Sequence, residues 1–109
     1  MSDRYLEKPV IASTSLTAVE ADGERFQLTI ELHEPYLDAD GVWRCAPSMR
    51  PLWDRLRHAA GEDSFQALCL AIALVRTLLE NFVEEGGSLW LDDKPWPSQA
   101  YPMGAFQNL

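Results

Sequence analysis

Residues 63–87 read DSFQALCLAIALVRTLLENFVEEGG, and this stretch decides the fold because it predicts one long helix. Asp63 is a favourable N-cap, and Gln66 three residues later completes a capping box. The Gly-Gly pair at 86–87 supplies a C-terminal stop, so we expect the helix over about residues 64–85. Apolar residues recur at spacings of three and four, which is typical of a helix packed on a sheet. The predicted buried face consists of Phe65, Leu68, Ile72, Val75, Leu79 and Phe82, and Ala71, Leu74 and Leu78 widen it.

A β-hairpin is predicted before the helix. Residues 25–34 alternate apolar and polar side chains, and residues 10–20 are rich in Val, Ile, Thr and Ser. A two-residue turn at 22–23 would set serines and threonines opposite leucines and isoleucine. A three-residue loop at 21–23 instead pairs Ala12, Leu16 and Ala18 with Leu32, Leu28 and Phe26. We favour the second register because it groups the apolar residues, and it requires a left-handed Gly23.

Shorter elements complete the predicted fold. A third strand is expected near residues 42–46, and a further short strand at 88–91. Residues 50–61 suit either a short helix that opens after a proline or a fourth strand over 55–60, and we favour the strand slightly. The predicted fold class is therefore α+β: an antiparallel sheet of three to five strands with one long helix, about residues 64–85, packed across one face.

The chain length of 109 residues fits one domain. Residues 1–91 form the predicted α+β domain. Residues 92–109 show no regular period, yet they contain three prolines and three aromatic residues. Solvated aromatic surface gains nothing by staying in water. We therefore expect this irregular tail to dock, either on the domain itself or on a second copy of the chain.

The net charge of −8, from 9 Lys and Arg against 17 Asp and Glu, limits the classes of partner. An acidic chain is repelled by phosphate backbones and anionic bilayers, so neither nucleic acid nor a membrane is expected as a partner. The start of the chain lacks an apolar signal core, and the longest apolar run, residues 67–75, is too short to cross a bilayer. Cys45 and Cys69 are accordingly expected to be reduced thiols in a cytoplasmic protein.

No group of residues in the sequence carries a recognisable catalytic, metal-binding or cofactor-binding pattern. Asp-Ala-Asp-Gly at 38–41 begins like a calcium loop but lacks the later ligands, so we interpret it as a turn. The two cysteines and two histidines, His33 and His58, do not have the spacing of zinc ligands. Glu31 and His33 share one side of a strand without a nucleophile, and a solvated strand face is the favoured interpretation. We expect no cofactor and no metal.

The candidate interaction residues fall into two groups. Large apolar side chains outside the predicted core are typical interface anchors, and three arginines form a basic island in an acidic chain. The candidates are Leu70, Trp53, Trp96, Tyr101, Phe106, Arg50, Arg55 and Arg57. The competing interpretation is that the aromatic residues complete the core and that the arginines lie on a solvated face.

Two stretches carry a resemblance to a known family. They are Trp43-Arg44-Cys45 and the segment Gly61-Glu62-Asp63-Ser64-Phe65-Gln66-Ala67-Leu68 that runs into the helix. This pair resembles an uncharacterised bacterial family of short single-domain proteins, with a Trp-x-Cys strand before a Gly-x-Asp-Ser-x-Gln-Ala-Leu helix start. The resemblance implies a bacterial origin and a shared fold, and it implies no catalytic residue. In size and acidity the chain is also similar to immunity proteins of bacterial toxin systems.

Three functional hypotheses follow. The first is a cytoplasmic protein-binding module, of the immunity or antitoxin type of inhibitor, whose acidic surface meets a basic protein. The second is a small enzyme whose site is assembled from distant residues. The third is a homo-oligomeric structural protein, such as a homodimer, that associates through Leu70 or the tail.

Overall fold

Two antiparallel sheets and one long helix make up the fold, as seen in a computed structural model that describes residues 8–53 and 56–103. The strands are β1 (Val10–Val19), β2 (Arg25–His33), β3 (Tyr36–Leu37), β4 (Trp43–Cys45), β5 (Pro47–Arg50), β6 (Ala59–Gly61), β7 (Ser88–Leu91) and β8 (Lys94–Pro95). The large sheet has the order β5-β2-β1-β7-β8, and the small sheet has the order β3-β4-β6. Helix α1 spans Ser64–Glu84. The predicted α+β class is confirmed, with the strands divided between two sheets.

The hairpin of β1 and β2 has the predicted register. Ala12, Leu16 and Ala18 lie opposite Leu32, Leu28 and Phe26. Gly23 has a φ of 93°, the left-handed conformation that the three-residue loop requires. The Asp22 carboxylate accepts a hydrogen bond of 2.9 Å from the Glu24 N–H, which fixes the turn. The grouping of apolar residues on one side of the hairpin thus sets its register.

The ambiguous segment 50–61 contains no helix within its described residues. Arg50 is the last residue of β5, and a short strand, β6, follows at Ala59–Gly61. Between them Trp53 forms a single bridge to Met49, and its N–H donates to the Met49 carbonyl at 2.8 Å. The favoured strand is therefore present, although it is shorter than predicted and lies nearer the helix.

Helix α1 begins and ends where the sequence predicts. The Asp63 carboxylate accepts a 2.7 Å hydrogen bond from the Gln66 backbone N–H. The Gln66 side-chain oxygen accepts a hydrogen bond from the Glu62 backbone N–H at 2.7 Å. These contacts satisfy backbone donors that have no partner within the helix. At the other end Gly86 takes a φ of 103°, which stops the helix.

The helix packs on both sheets through a face that overlaps the predicted one, since Val75, Leu79 and Ala71 are buried as expected. Its buried residues are Ala67, Ala71, Val75 and Leu79. Leu68, Ile72 and Phe82 are only partly buried, and Phe65 is 74% exposed, so the prediction that Phe65 is buried is wrong. At the small sheet the buried helix residues are Ala67 and Ala71, and Leu68 packs beside them while only partly buried.

Two clusters of buried residues result. The large-sheet core consists of Leu16, Ala18, Leu28, Ile30, Met49, Val75 and Leu79. The small-sheet core consists of Cys45, Ala67 and Ala71. The helix approaches the small sheet so closely that a Cβ on Gly61 would lie 2.6 Å from the Ala67 nitrogen. Small residues therefore set the separation between helix and small sheet.

The described part of the tail lies against the large-sheet core. Trp96 and Met103 pack on that core, and the Trp96 and Tyr101 rings stack with centroids 4.9 Å apart. Helix α1 is also long and apolar enough to meet the length and composition criteria of a membrane span. Core helices of soluble proteins meet the same criteria, and one face of α1 supplies part of both cores.

Candidate functional site

A groove with an apolar floor and acidic sides lies beside the C-terminal half of α1. It encloses about 620 Å³ between the helix, the β1–β2 turn and the segment that follows β5. Its apolar residues are Leu52, Trp53, Leu78 and Phe82, and its carboxylates come from Glu20, Asp22 and Glu85. We call this the acidic groove.

Local packing positions the floor of the acidic groove. The Phe82 ring meets Phe26 edge to face, with centroids 6.3 Å apart. That ring also lies so close to Gly87 that no side chain fits there without displacing it. The backbone hydrogen bond from Trp53 to Met49 ties the Trp53 position to strand β5. The floor is therefore anchored to the large sheet from both sides.

The sides of the acidic groove concentrate negative charge. Glu20 and Asp22 line the groove, and the tight turn brings their carboxylate oxygens within 4.8 Å of each other and of Glu24, which lies beside the groove on the same turn. None of the described residues that line the groove is Lys or Arg. Three clustered carboxylates on an exposed turn do not by themselves define a metal site, because the turn geometry already explains their proximity. They do create a local negative potential beside an apolar surface.

A second groove lies between α1, β7 and the tail, and it encloses about 980 Å³. We call it the tail groove; its lining includes Arg76, Leu79, Val83, Trp96, Tyr101 and Met103. Arg76 donates to the Met103 carbonyl at 3.5 Å and to the Glu80 carboxylate at 3.2 Å. Among the described residues the Trp96 indole N–H has no hydrogen-bond partner. Because Arg76 accompanies Glu80 and Glu84 in its lining, the tail groove is more balanced in charge than the acidic groove.

The outer side of the small sheet carries a polar cluster that the sequence analysis did not single out. Tyr36 Oη and His58 Nδ1 are 2.7 Å apart, and the Lys8 ammonium lies 5.2 Å from the centre of the Tyr36 ring. Arg44 lies opposite Tyr36 and donates to Asp38 at 2.8 Å. That hydrogen bond from Arg44, with help from the Val42 N–H, lowers the pKa of the Asp38 carboxyl. Strand β3 contains only two residues, so no alternation in the sequence could have placed Tyr36 beside Arg44.

Among the described residues, the acid–base candidates Glu31 and His33 of β2 have different hydrogen-bond partners. His33 is buried rather than solvated, and its Nδ1 lies 3.0 Å from the Lys8 carbonyl. Glu31 instead accepts a 3.4 Å hydrogen bond from the Ser48 hydroxyl. The favoured interpretation of a solvated strand face is therefore wrong for His33, because the segment before β1 supplies it with a backbone partner.

The two cysteines are unbridged, as predicted, and they lie in opposite environments. Cys45 is fully buried in the small-sheet core, whereas Cys69 is exposed on α1. Burial raises the pKa of the Cys45 thiol to about 11, and this thiol donates to the His33 carbonyl at 3.4 Å. Cys45 is therefore suited to packing rather than to nucleophilic chemistry.

The segment Asp38-Ala39-Asp40-Gly41 forms a turn, as predicted. One Asp38 oxygen accepts from the N–H groups of Asp40 and Val42 at 2.8 and 3.0 Å, and the other accepts from Arg44. Both oxygens of Asp38 are thus used in holding the turn and its neighbour strand together.

The predicted interaction residues occupy several separate surfaces. Trp53 lines the acidic groove, while Trp96 and Tyr101 line the tail groove. Leu70 is 44% exposed on α1. The basic residues Arg50 and Arg57 are both exposed, at the end of β5 and just before β6. Arg55 and Phe106 lie outside the described residues.

The sequence analysis missed the carboxylates of the acidic groove. The signal was present as two acidic segments, EADGE at 20–24 and ENFVEEGG at 80–87. Their meeting depends on β7 pairing with β1 at Thr17–Val19, a long-range contact that brings the end of the helix to the hairpin turn.

Comparison with known proteins identifies the family of this chain. The model of a family described as Domain of unknown function (DUF6968) matches residues 12–103, so the chain belongs to that family. This confirms the expectation of an uncharacterised family. No curated protein and no solved structure matches the chain.

Proposed function

We propose that this family member is a small protein-binding module whose acidic groove receives a basic, partly apolar segment of a partner protein. The observation that carries the proposal is the acidic groove itself, where Trp53 and Phe82 lie beside carboxylates of Glu20, Asp22 and Glu85. Arg and Lys side chains match this arrangement, because each combines an apolar stem with a cationic head.

The apolar floor and the acidic sides of the groove would contribute to binding in different ways. The stem of an arginine on the Trp53 ring removes apolar surface from water and adds a cation–π attraction. Aromatic residues in partly enclosed positions contribute much of the affinity of many interfaces. The carboxylates contribute mainly to the association rate and to the choice of partner, supported by the net charge of −8.

The class of partner follows from the same charge argument. An acidic module of this size would cover a basic surface on another protein, which is how an immunity-type or antitoxin-type inhibitor works. We therefore propose a basic protein, such as a toxin of a bacterial toxin system, as the first candidate partner. We also propose that this protein is located in the cytoplasm.

Binding of designed peptides to the full chain tests the proposal. The probe is a fluorescent 12-residue peptide in which arginines alternate with leucine and tryptophan, and fluorescence anisotropy gives the Kd. We expect saturable binding that weakens by about tenfold or more when Trp53 is changed to Ala. A peptide with glutamates in place of the arginines should not bind.

A matched pair of triple variants separates the groove from the overall charge. Glu20→Gln, Asp22→Asn and Glu85→Gln together remove three charges from the acidic groove. Glu34→Gln, Glu62→Gln and Asp93→Asn remove three exposed charges elsewhere. We expect a large loss of affinity only in the first variant. Equal losses in both would mean that net charge, not the groove, attracts the peptide.

The 2.7 Å contact between Tyr36 and His58 favours a second candidate, an enzyme that uses this pair in acid–base chemistry. The two residues come from positions 22 apart in the chain, as an assembled site requires. Neither residue lines the acidic groove or the tail groove. A screen of ester and phosphoester substrates with the native chain and with His58→Gln tests it, since only a turnover lost in the variant would support it.

A further inference from the structure

The described part of the chain ends at the wall of the tail groove. Met103 is the last described residue, and its carbonyl accepts a hydrogen bond from Arg76 at 3.5 Å. Val83 lies seven residues further along α1, on the same side of the helix as Arg76. It also lines the groove and is 49% exposed. The residues after Met103 therefore start beside a partly apolar groove of about 980 Å³.

One of the residues that line the tail groove, Trp96, has a donor that needs an acceptor. Its indole N–H is buried and has no hydrogen-bond partner among the described residues. Buried donors in folded proteins are nearly always paired. A purely apolar ligand cannot accept this hydrogen bond, whereas each peptide unit of a bound segment offers a carbonyl oxygen. The groove is therefore suited to a peptide that also carries an apolar side chain.

We propose that residues 104–109 of the same chain bind in the tail groove, with the Phe106 side chain against Val83. This segment reads GAFQNL and lies outside the described residues. It contains no charged side chain, so Glu80 and Glu84 in the lining of the groove do not repel it. Phe106 supplies the apolar side chain, and the peptide units around it supply the acceptors.

The length of the chain after Met103 matches the distance to be covered. From Arg76, which holds the Met103 carbonyl, to Val83 the helix rises about 10 Å, at about 1.5 Å per residue. Three extended residues also span about 10 Å, and Phe106 is the third residue after Met103. Direct attachment selects this segment over the same segment of another copy, because a short link gives it an effective concentration in the millimolar range.

Binding of this segment changes the role of a predicted interaction residue. Phe106 becomes part of the fold, because its ring is removed from water against the helix. The tail groove, including Trp96 and Tyr101, is then closed to other proteins while the segment is bound. The acidic groove has different lining residues apart from Gly87 and stays accessible.

Alkylation of a thiol introduced on the wall of the groove tests the proposal. The full chain carries Cys69→Ser, which removes the exposed native thiol, and Val83→Cys. Iodoacetamide should modify the introduced thiol at least tenfold more slowly with Phe106 in place than after the further change Phe106→Ser. Phe106→Leu keeps an apolar side chain and should keep most of the protection. Mass spectrometry of timed samples measures each rate.

A matched control places the thiol elsewhere on the same helix. Leu70 is 44% exposed and does not line the tail groove, so with Leu70→Cys in place of Val83→Cys the rate should not depend on position 106. Equal rates at position 83 with Phe106 and with Phe106→Ser would overturn the proposal. Protection that increases with protein concentration would also overturn it, because the segment would then come from a second copy. Peptide binding in the acidic groove is tested separately by Trp53→Ala, so the two proposals can fail independently.

Discussion

The two halves of helix α1 pack on the sheets through side chains of different size. Its C-terminal half fills the large-sheet core with Val75 and Leu79, against Leu16 and Leu28. Its N-terminal half meets the small sheet through Ala67 and Ala71, next to Cys45. At the first contact large side chains interdigitate, and at the second backbone approaches backbone. The sensitivity to mutation should therefore follow lost volume in one region and added volume in the other.

The largest expected effect is in the large-sheet core. Leu28 is fully buried, so Leu28→Ala should reduce the free energy of unfolding by about 2–5 kcal/mol, through lost burial and the cavity that remains. Urea denaturation measures this, with Leu70→Ala on the exposed side of α1 as the control. A loss below about 1 kcal/mol for Leu28→Ala would mean that the core rearranges to fill the space.

The next effect concerns the thiols and reports on the small-sheet core. Because burial raises the pKa of Cys45 to about 11, its thiolate fraction near neutral pH is about a hundredfold below that of an ordinary thiol. Alkylation of the native chain should modify the exposed Cys69 at least a hundredfold faster than Cys45. Mass spectrometry of timed samples, with a Cys69→Ser variant to isolate Cys45, checks this.

The two thiols should react at similar rates once the chain is unfolded in denaturant. Comparable rates in the native chain would show that the small-sheet core opens readily. The raised pKa also gives a pH dependence with a definite sign. The folded state holds its proton more tightly than the unfolded state, so this contribution to stability is intact below about pH 9 and declines toward pH 11.

A moderate effect is expected from adding one carbon at the small sheet. In Gly61→Ala the new Cβ would lie 2.6 Å from the Ala67 backbone nitrogen, and backbone cannot move aside as a side chain can. We expect a loss of about 1–3 kcal/mol and faster alkylation of Cys45, because the helix must move outward. Ala60→Ser on the exposed side of the same strand is the control. An unchanged melting temperature for Gly61→Ala would refute the close approach.

The smallest effect should come from Phe65, the residue that the periodicity assigned to the core. At 74% exposure it loses little on truncation, so Phe65→Ala should change the free energy of unfolding by less than about 0.5 kcal/mol. Thermal and urea unfolding both measure it. A loss above about 2 kcal/mol would instead support the face predicted from the spacing of large side chains.

The hairpin register and the ends of α1 were predictable because local signals determine them. The alternation of β2 and the position of Gly23 leave one register with the apolar residues together, and Asp63 and Gly86 mark the helix ends. The buried face of α1 was predictable only in part, because Val75 and Leu79 are buried as expected but Phe65 is exposed and Ala67 is buried. Periodicity gives weight to Phe65 and little to Ala67, whereas close packing on a sheet rewards the smaller residue.

The candidate site was predictable only in part. Trp53 was recognised as an aromatic residue outside the two best core patterns, and it does line a groove. The carboxylates around it belong to the hairpin turn and the helix end, which pairing of β7 with β1 brings together. Tyr36 and His58 are in contact at the small sheet, and no local sequence pattern predicted that these strands form a separate sheet. Contacts between distant segments therefore account for what the sequence analysis missed.

The connection between the two sheets has a consequence for folding cooperativity. The chain leaves the small sheet at Cys45 and enters the large sheet at Pro47, so Ala46 alone separates them, and its carbonyl accepts from His33 of β2 at 3.0 Å. Helix α1 also packs on both sheets. We therefore expect that one sheet cannot unfold while the other keeps its hydrogen bonds. The slowest-exchanging amides of β4 and β2 should therefore open together, as parts of one cooperative unit.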